Sequence, residues 1–379
     1  MAQDVYERLA AFLNELPGGF ARTPSGVELR ILRRLFSPQE AELAQHLALI
    51  AEEARVIARR AGLPVAETTR LLEEMARKRL IYDEVQEGQP TRYMAFQFVV
   101  GFWEGQVDRL DRELAEDFEE YLPYHIDSIP WGKAPQLRTI PVKESITVRN
   151  VVLAYEDVEA IVASHEKFGV ANCICRQEMR LLGHDDGKPL ETCLAFDGGA
   201  DYYVRSGRGR LITREEALAV LAQAKSAGLV LQPGNDKTSS NICMCCGCCC
   251  GVLRGVKRHP HPASQVASAF QAQLDAEPCT GCGKCARRCP MDALVIVDKK
   301  AVLDATRCIG CGLCVAACPS GALTLRRKAQ VEQPRVPGTI VELYLKMAWS
   351  RGKMGPISLA RLATRSAVDR LAVRLKPPD

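Results

Sequence analysis

Two cysteine runs carry the plainest chemistry in this 379-residue chain: Cys279-x-x-Cys282-x-x-Cys285-x-x-x-Cys289-Pro290, and the same pattern at Cys308, Cys311, Cys314, Cys318 and Pro319. Three thiolates at such gaps on a short loop converge on one face of an iron–sulfide cube, and in duplicated runs of this kind the fourth cysteine serves the other cluster. The spacing therefore assigns Cys279, Cys282, Cys285 and Cys318 to one [4Fe–4S] cluster, and Cys308, Cys311, Cys314 and Cys289 to a second. Each proline ends its ligand segment and turns the chain away. Tetrahedral zinc also uses Cys-x-x-Cys pairs, but the duplication with a proline after each fourth cysteine favours iron–sulfur. Such centres need no catalytic acid or base; they move single electrons and are tuned by hydrogen bonds, charge and burial.

The chain holds 17 cysteines, all between Cys173 and Cys318. The N-terminal stretch has Asp4, Glu7 and Arg8 where a secretion signal needs an apolar run, and no stretch reaches the length of a membrane span, so a cytoplasmic location is expected. Thiols in that compartment stay reduced, which makes metal or cluster ligation the expected use of the others. They are Cys173, Cys175, Cys193 and the burst Cys243, Cys245, Cys246, Cys248, Cys249 and Cys250. Adjacent side chains diverge along a regular backbone, so the burst cannot all serve one cubane. A third [4Fe–4S] cluster would take Cys173 or Cys175, Cys193, and two or three of the burst, with Cys243, Cys245, Cys246 and Cys248 as candidates; zinc or redox-active thiols are the alternatives. Arg176 could offset cluster charge or be an ordinary surface arginine, and no pair among His184, His259 and His261 has a metal spacing.

The elements that must position these residues are mixed. Residues 1–98 lack cysteine and read as helical, with Ser37 and Glu40 forming a capping box around Pro38, a second helix from about Glu52 to Gly62 and a third over 65–80. Strands at 81–85 and 93–100 then flank a turn, which makes 25–98 a winged-helix pattern. Its third helix carries Arg70, Arg77, Lys78 and Arg79 but also Glu67, Glu73 and Glu74, a poor face for DNA, so protein contact is the favoured use. An acidic helix is expected over 101–122, with Pro123, Pro130, Pro135 and Pro141 marking an extended path beyond it. Helices at 155–168 and 213–227, the latter boxed by Thr213 and Glu216, bracket the cysteine-bearing middle. A hairpin is expected at 293–303. The tail reads as helices at 339–349 and 357–375. Leu359, Leu362, Val368 and Leu371 form an apolar stripe there beside Arg361, Arg365, Arg370 and Arg374, suited to a membrane surface, a redox partner or the protein's own core.

The segments 171–176 (ANCICR), 191–203 (ETCLAFDGGADYY), 241–254 (NICMCCGCCCGVLR) and the 279–319 runs together resemble bacterial 4Fe-4S ferredoxin-type proteins of anaerobes. The resemblance implies iron–sulfur binding and electron transfer between redox partner proteins, and no particular reaction. The expected architecture is an α+β multidomain chain. It comprises a winged-helix-like domain (1–100), an acidic helix and linker (101–138), a mixed α/β cysteine-rich domain (139–265), a two-cluster ferredoxin-like domain (270–328) and a basic amphipathic helical tail (334–379). A net charge of +4 is too mild to imply a polyanionic partner, and no dinucleotide or phosphate-binding glycine motif is present. Electron transfer is the leading reading. A redox-sensing winged-helix regulator and the iron–sulfur subunit of an oxidoreductase are the alternatives.

Overall fold

The computed structural model describes residues 4–146, 151–353 and 356–375. The chain divides into two compact units, residues 1–129 with 344–379, and residues 130–343.

In the first unit, Asp4 caps helix α1 (Val5–Glu15), followed by α2 (Val27–Leu35) and α3 (Pro38–Ala44), whose Ser37/Glu40 capping box forms as expected. A two-residue strand β1 (Glu52–Glu53) leads into α4 (Ala54–Ala61), and the left-handed Gly62 turns the chain to α5 (Val65–Arg77). Strands β2 (Ile81–Glu84) and β3 (Arg92–Ala95) complete an antiparallel sheet in the order β1-β3-β2. The second strand stops at Ala95, short of the expected 100. Val100 takes a left-handed φ of 53°, and the irregular turn Phe98–Phe102 instead drives Phe98 and Phe102 into an aromatic core with Phe20, Phe118 and Tyr121. Similarly, the expected helix at 101–122 is displaced: α6 spans Arg112–Ser128, capped by Asp111. Pro123 lies inside α6 rather than ending it, because the last turns bury Tyr121, Leu122, His125 and Ile126.

The second unit holds every cysteine. Helix α7 (Val158–Ala163) is shorter than the sequence suggests, because Phe168 and Gly169 open strand β4 (Phe168–Asn172), where burial of Val170 in a sheet outweighs the glycine stop signal. Helix α8 (Ile174–Leu181), strand β5 (Glu191–Phe196), helix α9 (Gly198–Arg205) and strand β6 (Gly209–Ile212) follow. Helix α10 (Arg214–Ser226) has its Thr213/Glu216 box, and β7 (Val230–Pro233) and β8 (Asn241–Cys245) close a five-stranded antiparallel sheet ordered β6-β4-β5-β8-β7. Helix α11 (Gly251–Arg258) then leads into the ferredoxin-like segment. That segment consists of β9 (Phe270–Leu274), α12 (Lys284–Arg288), the hairpin β10 (Leu294–Val297) and β11 (Lys300–Leu303), α13 (Leu313–Ala316), and β12 (Leu323–Arg327), which pairs with β9.

The tail forms α14 (Ile340–Ser350) and α15 (Pro356–Leu375). Within the first unit, Arg351 donates to the carbonyls of Asn14 and Leu16 at the end of α1. The face of α15 that packs on α4 carries Ser366, Asp369 and Val373. Buried Arg60 bridges Glu52 and Asp369, and the Ser366 hydroxyl donates to Glu52 at 2.6 Å. That polar network pins a different face from the expected stripe, and Val368 and Leu371 are left exposed. The side chains of Leu359, Leu362, Arg361, Arg365 and Arg374 lie outside the described residues.

Candidate iron–sulfur and metal site

Each four-cysteine run begins as a loop and ends as a single helical turn, α12 or α13, entered through a left-handed glycine, Gly283 or Gly312. The two fourth cysteines change sides. One cavity is lined by Cys279, Cys282 and Cys285 together with Cys318 from the other run, and by Leu274, Ile296 and Leu323. Cys289 stands instead with Cys308, Cys311 and Cys314, whose charges act on one another. Backbone amides point at the sulfurs: Ala301 N to Cys279 at 3.3 Å, Ala293 N to Cys289 at 3.2 Å, and Ala272 N to Cys308 at 3.4 Å. Amides aimed at thiolates stabilise negative charge and raise the reduction potential of a bound cluster.

The two sets differ in environment. Cys282 is exposed, and a backbone hydrogen bond at Lys284 lowers its pKa; that of Cys318 is also lowered, against its burial, by the Ser320 hydroxyl. Cys308, Cys311 and Cys314 are buried, and burial pushes Cys311 up to about 12 and Cys314 upward as well. Thiols so hard to ionise alone become ligands only when a metal centre supplies the compensating charge.

The cysteine-rich sheet sorts its thiols into two groups. Strand β8 alternates, sending Ile242 and Met244 to the core and Cys243 and Cys245 to the opposite face. Cys193 on β5 lies directly across from Cys243. Cys173 follows β4, Cys175 sits in the first turn of α8, and Cys250 precedes α11. These six thiols act on one another as neighbours in the order 193, 243, 245, 250, 175, 173. Their pKa values shift in alternating directions along that order, raised at Cys193, Cys245 and Cys175 and lowered at Cys243, Cys250 and Cys173, because a thiol that keeps its proton stabilises the thiolate beside it. Tyr203 Oη lies 3.1 Å from Cys193 Sγ, and Arg208 Nη2 is 3.7 Å from the same sulfur. Six thiols converging this way are more than enough donors for a cubane.

The second group is Asp186, Cys246, Cys248 and Cys249, whose ligand atoms all lie within 4.8 Å of one another. Cys246 and Cys248 were expected beside Cys243 and Cys245. The chain leaves the strand at Cys246, so consecutive cysteines fall to opposite sides. Cys249, Cys250 and Asp186 were not among the expected ligands. The period-two alternation of the strand could have separated Cys245 from Cys246, whereas nothing in the 184–188 loop singles out Asp186. His184, His259 and His261 belong to no such group among the described residues. Arg176, far from being a surface residue, is 1% exposed. Its Nη2 donates to Met244 O at 2.9 Å and to the Thr192 hydroxyl, while Nε and Nη1 are buried without a hydrogen-bond partner among the described residues. Burial opposes its charge, but the thiolates of Cys173, Cys246 and Cys245 and the carboxylate of Asp186 raise its pKa.

The two regions touch. A Cβ on Gly247 would stand 2.3 Å from the carbonyl oxygen of Pro290, so only glycine lets the cysteine loop approach the segment after Cys289. A pocket of about 310 Å³ beside this contact is lined by Cys248, Cys289, Lys188, Lys257, Arg287 and Arg288.

Residues 278–322 match the family model of a 4Fe-4S dicluster domain. No curated protein and no solved structure matches the chain. The segment is thus an iron–sulfur, ferredoxin-type domain in a chain of mixed helix and sheet, and its chemistry is electron transfer. No described helix is long and apolar enough to cross a membrane.

Proposed function

We propose that this protein relays single electrons between redox partners through three [4Fe–4S] clusters. Cys279, Cys282, Cys285 and Cys318 hold the first, Cys289, Cys308, Cys311 and Cys314 the second, and four of the six inner thiols of the sheet the third. Bound clusters would supply one-electron redox chemistry; the chain's own residues hold them, tune them and exclude water. The observation that carries this reading is the cavity shared by Cys279, Cys282 and Cys285 with Cys318, the crossed arrangement that two-cluster ligation requires.

The path follows from exposure. The first site opens to solvent at Cys282, where a soluble donor or acceptor can approach, and the second lies under the segment whose Val142 amide donates to Cys311 O at 3.0 Å. Gly247 against Pro290 then brings the cysteine-rich sheet next to the second site. DNA sensing is less favoured, because three of the cations in and just after α5 are already engaged. Arg70 pairs with Glu74, Lys78 with Glu40, and buried Arg79 donates to the carbonyls of Gly105 and Val107. An oxidoreductase-subunit role is the same relay with the active site on a partner.

Iron and acid-labile sulfide per chain, measured on anaerobically purified protein, test the reading. About twelve of each supports three cubanes, about eight removes the third, and fewer than about four sinks the relay.

A further inference from the structure

We infer that Asp186, Cys246, Cys248 and Cys249 form a separate mononuclear zinc site, distinct from the inner thiols and from both ferredoxin-type sites. The site is built from a tight turn, closed by the Cys250 amide on Cys246 O at 3.2 Å, which folds three thiols back onto one carboxylate. Cys248 Sγ lies 3.4 Å from Asp186 Oδ2 and 3.6 Å from Cys249 Sγ. Size separates a single ion from a cluster. With zinc–sulfur bonds of about 2.3 Å, tetrahedral ligands stand about 3.8 Å apart. The ligands of a cubane each bind a different iron and so stand farther apart by an iron–iron edge. Four ligand atoms all within 4.8 Å of one another fit the single ion.

Donor type agrees, since three thiolates and a carboxylate in four-fold array are a zinc-binding set. Charge agrees as well. Three thiolates and a carboxylate around a dication leave two negative charges, and two cations stand beside them. One is Lys188, with Nζ 3.6 Å from Cys248 Sγ and 3.4 Å from Asp186 Oδ2. The other is Arg176, which is 1% exposed, has two nitrogens without partners, and has Cys246 and Asp186 as charged neighbours. A buried guanidinium with two of its three nitrogens unpaired among the described residues is costly unless lasting negative charge faces it, and a thiolate-rich zinc site supplies that charge. Arg176 also has Cys173 and Cys245 as charged neighbours, so it offsets negative charge of both thiol groups.

The test is metal counting on the full chain, purified anaerobically with zinc present, together with zinc-edge X-ray absorption. The expected result is about one zinc per chain with about three sulfur neighbours near 2.3 Å and one oxygen near 2.0 Å. Asp186→Asn and, separately, Cys248→Ser should each cut zinc occupancy at least tenfold while iron and sulfide stay at wild-type levels. The relay reading fails on iron count and this one on zinc count, so the two failures are distinguishable. Absence of zinc, zinc untouched by either variant, or loss of iron together with zinc in variants that keep their helical circular dichroism would each overturn the assignment. Lys188→Met, which removes no ligand, should weaken zinc retention against a chelator without changing the sulfur count of the absorption spectrum; unchanged retention would count against the charge argument.

Discussion

The two cysteine runs have the same spacing, the same glycines at equivalent positions and the same proline after the fourth ligand, yet they sit in opposite surroundings. The first leaves Cys282 exposed, with only Cys285 buried in its own run, whereas the second buries Cys308, Cys311 and Cys314. The difference lies in what covers each loop. Gly283 has the flexible end of Arg287 as its near neighbour, while Gly312 lies against Ser145 and Val142, supplied by a segment far away in sequence. Spacing fixes which atoms ligate, and long-range packing decides how wet each site is. Burial penalises the more negative reduced state, so the two sites should differ in potential and in lability although their ligands are the same.

The largest expected effect tests ligand exchange between the runs. Cys289→Ala, in the first run, should abolish the buried cluster and spare the exposed one, and Cys318→Ala should do the reverse. Electron paramagnetic resonance of the dithionite-reduced variants reports which signal is lost; loss within the same run would refute the crossed assignment. Next in size is the response to losing one ligand in each environment. Cys282→Ser should keep a three-iron remnant at the solvent-facing site, detectable as a new signal in the oxidised protein. Cys311→Ser, which leaves a polar group among buried thiols, should lose about four irons. Equal iron loss in both would mean that burial does not separate the sites.

Much of this contrast was hidden from the sequence for a physical reason. The ligand runs were legible because cluster ligation is local, and the capping boxes at Ser37 and Thr213 because a cap is an exchange of hydrogen bonds within four residues. The start of β4 is not legible locally: the sequence reads as helix through 168, and only pairing with the neighbouring strands β5 and β6 makes Phe168–Asn172 a strand. The division of the cysteine burst was legible in part. Cys243 and Cys245 share a face by simple alternation, but Cys250 joins them only because the turn after Cys246 folds back, and Asp186 enters from a loop with no signal of its own. The tail stripe failed similarly. Helical spacing names a face, but the Glu52, Arg60 and Asp369 network chose another.

A smaller effect sharpens the comparison at its source. Gly283→Ala pays for a left-handed φ of 71°, about 1 kcal/mol, because the arginine beside it can swing away. Gly312→Ala adds the displacement of buried Ser145 to the same backbone strain, for about 2–4 kcal/mol. Thermal bleaching of the cluster absorbance should therefore begin at a lower temperature in Gly312→Ala than in Gly283→Ala. The reverse order would show that the covering segment adds nothing to the second site.

The smallest effect concerns tuning rather than assembly. Lys328 is half-buried, and burial lowers its pKa while the charge of Cys308 opposes the shift, so its ammonium stands where an added electron would be felt. Lys328→Met removes a positive charge that favours the reduced state. The potential of the buried site should fall by on the order of tens of millivolts, with the exposed site unchanged. Redox titration followed by paramagnetic resonance resolves the two signals separately. A shift in the exposed signal alone would place the lysine's influence on the wrong site, whereas a shift in both would mean that the two sites share one electrostatic environment despite their different burial.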